Sequence, residues 1–226
     1  MTLVFIHGAG SNGSVWHLQL AHFKEALAVN LPGHPAGLGY TSIKDYADFM
    51  ADYIERNDVK NPVIIGHSMG GAIAIELALR DINMAGLVLV GTGARLKVHP
   101  DILRAILEDY GKACELVAKW SVSETAPEYI SEQISKQMLR VPAEVVQGDF
   151  SACDHFDVMN DVDGISAKTL VVCGADDRLT PVKYSQYLHD RIRGSKLVII
   201  PGAGHSVMLE KYQGFNAALE SFLASL

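Results

Sequence analysis

The stretch Pro62-Val63-Ile64-Ile65-Gly66-His67-Ser68-Met69-Gly70-Gly71 constrains the fold more than any other part of the chain. Val63, Ile64 and Ile65 are β-branched and consecutive, with no polar alternation. A strand of that kind is covered on both faces, as in a parallel sheet between layers of helix. From Gly70 onward Ala72, Ile73, Ile75, Leu77 and Leu79 give a mostly apolar helix. The turn between strand and helix is Gly66-x-Ser68-x-Gly70. Glycines at those places let the backbone bend tightly and let neighbouring chain pass close, so that Ser68 projects from the tip. The pattern turns up by chance in roughly one glycine-rich chain in ten, so its weight comes from the strand before it and the helix after it.

The remaining chain repeats this alternation. Thr2–His7 reads as a strand, closed by the glycine-rich Gly8–Gly13. Trp16, Leu20 and Phe23 predict a helix over Val15–Ala26, and Ala28–Pro32 the next strand. Ser42 followed by Asp45 opens a helix near Ile43, with Tyr46, Phe49, Met50 and Tyr53 as its buried stripe. After the Ser68 turn and its helix, Gly86–Gly91 is another buried strand. The order β-α-β-α-β-α-β implies a parallel sheet with right-handed crossovers.

At Gly93 the rhythm breaks. Residues 95–160 show no clear buried strand and read as helices around Ile102, Ile106 and Tyr110, then Leu116, Val117 and Trp120, then Ile130, Ile134 and Met138. Thr125 reads as the cap of the third, with Pro127 just inside, and Pro142-Ala143-Glu144 opens a fourth. The segment is too long for a single crossover. The sheet then resumes with Thr169–Cys173 and Lys196–Pro201, where Thr180-Pro181 caps and opens the intervening helix. Tyr212, Phe215, Leu219, Phe222 and Leu226 share one face of a closing helix.

Composition narrows the class of function. Apolar residues make up 49% of the 226, enough for a large core, and the 20% charged residues argue against disorder. A net charge of −7 and the lack of a basic stripe argue against nucleic acid or an anionic membrane as partner. No apolar run approaches a membrane span, and the N-terminus lacks a signal-like pattern. Cys114, Cys153 and Cys173 are scattered and lack metal-ligand spacing. A reduced, cytoplasmic setting is the expectation.

A serine hydroxyl needs a base, and the base needs a partner that fixes its tautomer. Ser68, an acid at Asp176 or Asp177, and His205 follow one another along the chain, each just past the end of a strand. Open α/β sheets place their sites there.

Taken together, Gly66-x-Ser68-x-Gly70, His7-Gly8 after the first strand, Gly174-x-x-Asp177-x-x-x-Pro181 and Gly204-His205 resemble the α/β-hydrolase superfamily. The resemblance implies an α/β fold whose mostly parallel central sheet is flanked by helices. A helical cap over residues 95–160 would interrupt a core formed by 1–94 and 161–226. It implies Ser68, Asp177 and His205 as the catalytic set, with Asp177 preferred to Asp176 because Gly174 and Pro181 put it in register. The backbone N–H groups of Ala9 and Met69 would form the oxyanion hole. Trp120, Met138 and Met159 are candidates for the substrate pocket, and His7 and His34 are read as structural. Neither a metal nor an organic cofactor is expected, and the expected partner is a small-molecule ester.

The chain also departs from the family. Asn30 and Pro35 replace an Asp and a Gly of the family's Asp-Leu-Pro-Gly-His-Gly stretch, and the usual N-terminal hairpin is missing, so about six strands are predicted. Hydrolysis of a small or medium carboxylic ester through an acyl-enzyme is the leading expectation. Lactone hydrolysis, carbon–carbon bond hydrolysis, lyase chemistry and a receptor-like ligand-binding role remain alternatives.

Overall fold

In the computed structural model, which describes residues 1–226, six strands form one sheet: β1 Leu3–Ile6, β2 Ala26–Val29, β3 Val63–His67, β4 Gly86–Val90, β5 Thr169–Gly174 and β6 Lys196–Ile200. Their spatial order is β2-β1-β3-β4-β5-β6, and every neighbouring pair is parallel. The unbroken β-branched runs explain the placement: β3, β4 and β5 are buried along their whole length. The edges β2 and β6 are only partly covered, leaving Leu27 and Ile199 exposed.

Alternate residues of β3 feed two cores. Ile64 packs with α2 (Ile43–Arg56), α3 (Met69–Leu79) and Leu188 of α8 (Val182–Arg191). Val63 and Ile65 pack on the other face with Trp16, Met208 of α9 (Val207–Glu210), and Phe215 and Leu219 of α10 (Tyr212–Leu223). Ser42 caps α2 as predicted, its hydroxyl accepting from the Lys44 N–H. Four helices lie between β4 and β5: α4 Pro100–Glu108, α5 Tyr110–Trp120, α6 Glu128–Met138 and α7 Ala143–His155. They share a small core of their own, with Ile106, Cys114, Val117 and Val146 among its members. No helix is long and apolar enough to cross a membrane.

Several predicted boundaries move. The helix expected over Val15–Ala26 is a 3₁₀ turn, Gly13–Trp16, followed by a short α1, His17–His22. Ala26 already belongs to β2 because it pairs with Leu3 of β1. The helix expected to carry Ile102, Ile106 and Tyr110 together ends at Glu108. The Asp109 carboxylate accepts from the Lys112 N–H and starts a new helix, which takes Tyr110 with it. Pro127, not Thr125, holds the cap position of α6. Pro181, not Thr180, holds that of α8, because the Thr180 hydroxyl is engaged elsewhere. The closing helix begins at Tyr212, which is exposed.

Candidate active site

A single residue turns the chain from β3 into α3. Ser68 adopts φ +55°, a conformation that costs a side-chain-bearing residue about 1–3 kcal/mol. The surroundings hold it there. Its N–H donates to Val90 O at 2.9 Å, and the Thr92 hydroxyl donates to its carbonyl at 2.8 Å. The flanking glycines are required for space. A Cβ on Gly66 would sit 2.1 Å from Gly70 O, and one on Gly70 would sit 2.4 Å from Ile6 O.

The chain after β5 presents a carboxylate to a histidine carried by the loop after β6. Asp177 Oδ1 accepts from the Leu179 and Thr180 N–H groups at 2.9 and 2.8 Å. Its Oδ2 accepts from the Thr180 hydroxyl at 2.8 Å and from His205 Nδ1 at 2.9 Å. Burial works against the Asp177 charge, but His205 and the Thr180 donors outweigh it and hold the pKa below the usual carboxylate value. With Nδ1 donating to Asp177, Nε2 of His205 is the free basic nitrogen. Asp176, by contrast, is exposed and donates its own N–H to Ala203 O. Ser68 and His205 line the same cavities, although no hydrogen bond yet joins them. Such contacts commonly tighten only with substrate bound.

Three residues to which the sequence assigns no place in the site hold this arrangement. Thr180 Oγ1 lies 3.1 Å from His205 Nδ1 while donating to Asp177. His67, next to Ser68 in the chain, donates Nε2–H to the His205 carbonyl at 3.0 Å and packs against its ring in a tilted arrangement with centroids 4.6 Å apart. Burial and the neighbouring His205 lower its pKa to about 3, so it stays neutral. Glu210 bridges the same loop to the inserted helices, accepting from Gly204 N–H at 2.9 Å and Ser123 N–H at 2.8 Å.

The loop after β1 forms the opposite wall. The Ala9 N–H makes no hydrogen bond to the protein, and Ala9 lines both cavities next to Ser68. Met69 opens α3, so its N–H has no carbonyl one turn earlier within the helix; its side chain is buried in the core. The next residue of the β1 loop, Gly10, donates its N–H to Asp149 Oδ2 of α7 at 2.9 Å. The same oxygen takes His34 Nε2–H at 2.8 Å, and Oδ1 takes the Tyr46 hydroxyl at 2.6 Å. His34 Nδ1 donates to Pro32 O, so both ring nitrogens act as donors. Burial opposes the charge on His34, but Asp149 overcomes it and the pKa is raised. The result is an ion pair without solvent exposure that joins α7, α2 and the two loops. His7 also has a structural position, with Nε2 accepting from Leu31 N–H at 3.1 Å.

Two cavities meet at Ser68. The narrow one, about 60 Å³, is lined by Val117, Ile134, Met138 and Met208. The wider one, about 400 Å³, is lined by Ile102, Trp120, Phe150 and Tyr184 among others. Trp120 and Met138 therefore reach the site. Met159 does not: it packs against the sheet core beside α8, and its carbonyl accepts from the Tyr187 hydroxyl. No group of three or more His, Cys, Asp or Glu converges on one point as metal ligands would.

Known proteins resemble this chain along most of its length. The model of the "Alpha/beta hydrolase family" matches residues 3–218. A solved structure described as a thermophilic esterase superposes with a TM-score of 0.88 at 37% identity, over 99% of this chain and 90% of that one. A pimeloyl-[acyl-carrier protein] methyl ester esterase of Neisseria meningitidis serogroup A is 28% identical over 96% of this chain and 75% of its own length. A putative carbamate hydrolase of Variovorax paradoxus is 27% identical over 96% of this chain and 89% of its own.

Proposed function

The chain belongs to the alpha/beta hydrolase family, and on that premise we propose that it hydrolyses carboxylic esters through Ser68, His205 and Asp177. The observation that carries this reading is the buried His205 Nδ1–Asp177 Oδ2 bond of 2.9 Å, beside a serine held at positive φ. The relatives named above, an esterase structure, a methyl ester esterase and a carbamate hydrolase, point to the same class of reaction.

In this mechanism His205 Nε2 takes the proton from Ser68 Oγ as that oxygen attacks the ester carbonyl. Asp177 keeps the imidazole oriented and offsets its transient charge. The carbonyl oxygen becomes an oxyanion, which the N–H groups of Ala9 and Met69 receive; one such donor is worth roughly 3 kcal/mol in the transition state. As the tetrahedral centre collapses, the alkoxide leaves with the proton from His205. Water, deprotonated by the same nitrogen, then releases the acid from Ser68. Residues 95–160 act as a cap whose Trp120 and Met138 shape the pocket, and the substrate is a small or medium ester.

Release of 4-nitrophenol from acetate, butyrate and octanoate esters tests the proposal. The expected result is steady turnover that Ser68→Ala lowers by roughly 10⁴-fold or more, with a chain-length profile that sizes the pocket. Absence of turnover by folded wild-type protein overturns ester hydrolysis.

A further inference from the structure

The wider cavity beside Ser68 carries ionic side chains of one sign. Lys97, Arg178 and Lys183 line it and no carboxylate does, in a chain whose net charge is −7. A groove of similar kind between α2, α3 and α7 has the opposite character: Glu76, Asp157 and Asp161 line it with a single lysine, Lys44.

The three cations differ in how far they are already compensated. Lys97 Nζ donates to the Asp154 carbonyl at 2.6 Å and lies 3.6 Å from that residue's carboxylate. Arg178 donates to the Lys119 carbonyl at 3.1 Å, and Nη1 is 3.7 Å from the exposed Glu124. Lys183 forms no ion pair; its Nζ lies 5.8 Å from the centre of the Tyr184 ring. Pro181 and Lys183 at the start of α8, and His99 and Pro100 at the start of α4, also line this cavity. The N-terminus of α8, which has no acidic residue in its first turn, adds partial positive charge to the side-chain charges, whereas that of α4 is offset by Asp101. A cleft lined by one sign of charge focuses the field and concentrates ligands of the other sign. Ala9, Ser68 and His205 belong to the same lining, so an ester seated on Ser68 extends its larger half among these cations. The narrow apolar cavity receives the smaller end.

We propose that the wider cavity selects esters bearing a free carboxylate a few bonds from the scissile group, with Lys183 as the chief counter-charge and Arg178 as the second. This rests on Ser68 being the nucleophile. A carboxylate suits the pair, since Lys183 offers a point charge and Arg178 a planar fork.

The test compares kcat/KM for matched esters. Mono-4-nitrophenyl glutarate against 4-nitrophenyl pentanoate places the carboxylate on the acyl side. 2-Carboxyethyl butanoate against its methyl ester places it on the alcohol side. The expected result is a preference for the anionic member of one pair of about ten-fold at low salt, shrinking as ionic strength rises. Lys183→Gln lowers that ratio, Lys183→Glu brings it below one, and Arg178→Gln lowers it less. Each ratio is taken within one variant, so a general loss of activity cancels. A ratio near one for both pairs in wild type, or one that the Lys183 variants leave unchanged, overturns the anion site while leaving ester hydrolysis standing. Failure to turn over any of the esters counts against the serine-hydrolase reading instead. Calorimetric binding of monomethyl glutarate to Ser68→Ala then decides the anion site separately: binding lost on adding Lys183→Gln supports it, and no binding to Ser68→Ala overturns it.

Discussion

Asp176 and Asp177 are neighbours with opposite surroundings. Asp176 is exposed, whereas Asp177 is buried under four hydrogen bonds, one of them from His205. Asp177→Asn is expected to lower kcat by roughly 10⁴-fold, since an amide in that place favours the wrong imidazole tautomer. Asp176→Asn is expected to change kcat by less than about two-fold, as for a surface substitution. Equal effects, measured on one ester under saturating conditions, would reverse the assignment of the acid. Thr180→Val keeps the shape but removes the hydroxyl shared by Asp177 and His205. It is expected to cost about ten-fold in kcat with little change in KM, in line with loss of a hydrogen bond to a charged group. Ser68, Asp177 and His205, the set proposed as nucleophile, acid and base, were legible as candidates because they follow the expected order and each lies just past the end of a strand, a pattern written along the chain. Thr180 was read as a helix cap because Thr before Pro is an ordinary start signal. Its use by Asp177 depends on a turn that only the fold supplies. Met159 was misplaced for a related reason: an unbranched apolar side chain gives no directional signal.

At the scale of elements, the strands were readable because unbroken β-branched runs have few other uses. Helix boundaries within residues 95–160 were less so. The break at Asp109 depends on whether one carboxylate turns back to the Lys112 N–H, and in sequence Asp109 is simply another acid between apolar positions. Asp149 was invisible for the same reason: its partners Gly10, His34 and Tyr46 come from three distant segments. This residue fastens α7 to the loop that carries Ala9, so its loss is expected to lower both stability and the proposed activity. Asp149→Asn strands the His34 imidazolium in a dry site and is expected to destabilise the protein by about 3–5 kcal/mol, the cost of breaking a buried ion pair. Tyr46→Phe removes one hydroxyl from the same carboxylate and is expected to cost about 1–3 kcal/mol. Urea unfolding of both variants checks the ranking. An Asp149→Asn variant as stable as wild type would show that the pair contributes nothing net.

For the whole molecule, the alternation of strands and helices made a parallel sheet legible, but not the order β2-β1-β3-β4-β5-β6, which depends on where each crossover lands. Nor did it reveal how many histidines the fold seals away from water, and those set the response to acid. His7 and His67 are buried, and each has its pKa lowered from 6.5 to about 3. Burial is the main cause for both. His34, charged and 4.8 Å from the His7 ring, adds to it for His7, as His205 does for His67. A lowered histidine pKa means that the unfolded chain binds a proton the folded one refuses. The stabilisation is therefore complete above pH 6.5 and is lost as pH falls toward 3. Each site contributes a slope on the order of 1 kcal/mol per pH unit. His34 does not offset this. Its raised pKa keeps it protonated in both states below 6.5, and its own contribution is lost only as pH rises through the folded value. Asp177, with a lowered carboxylate pKa, loses its contribution only as pH falls below about 4. Stability between pH 6.5 and 4.5 is thus governed by His7 and His67 and is expected to fall by several kcal/mol over that window. His7→Gln retains an acceptor for the Leu31 N–H and a donor for the Gly8 carbonyl, the two bonds the imidazole makes, but cannot titrate. Urea midpoints measured across this window are expected to show about half the wild-type slope in His7→Gln, and an unchanged slope would mean that His7 already takes up a proton within the folded protein.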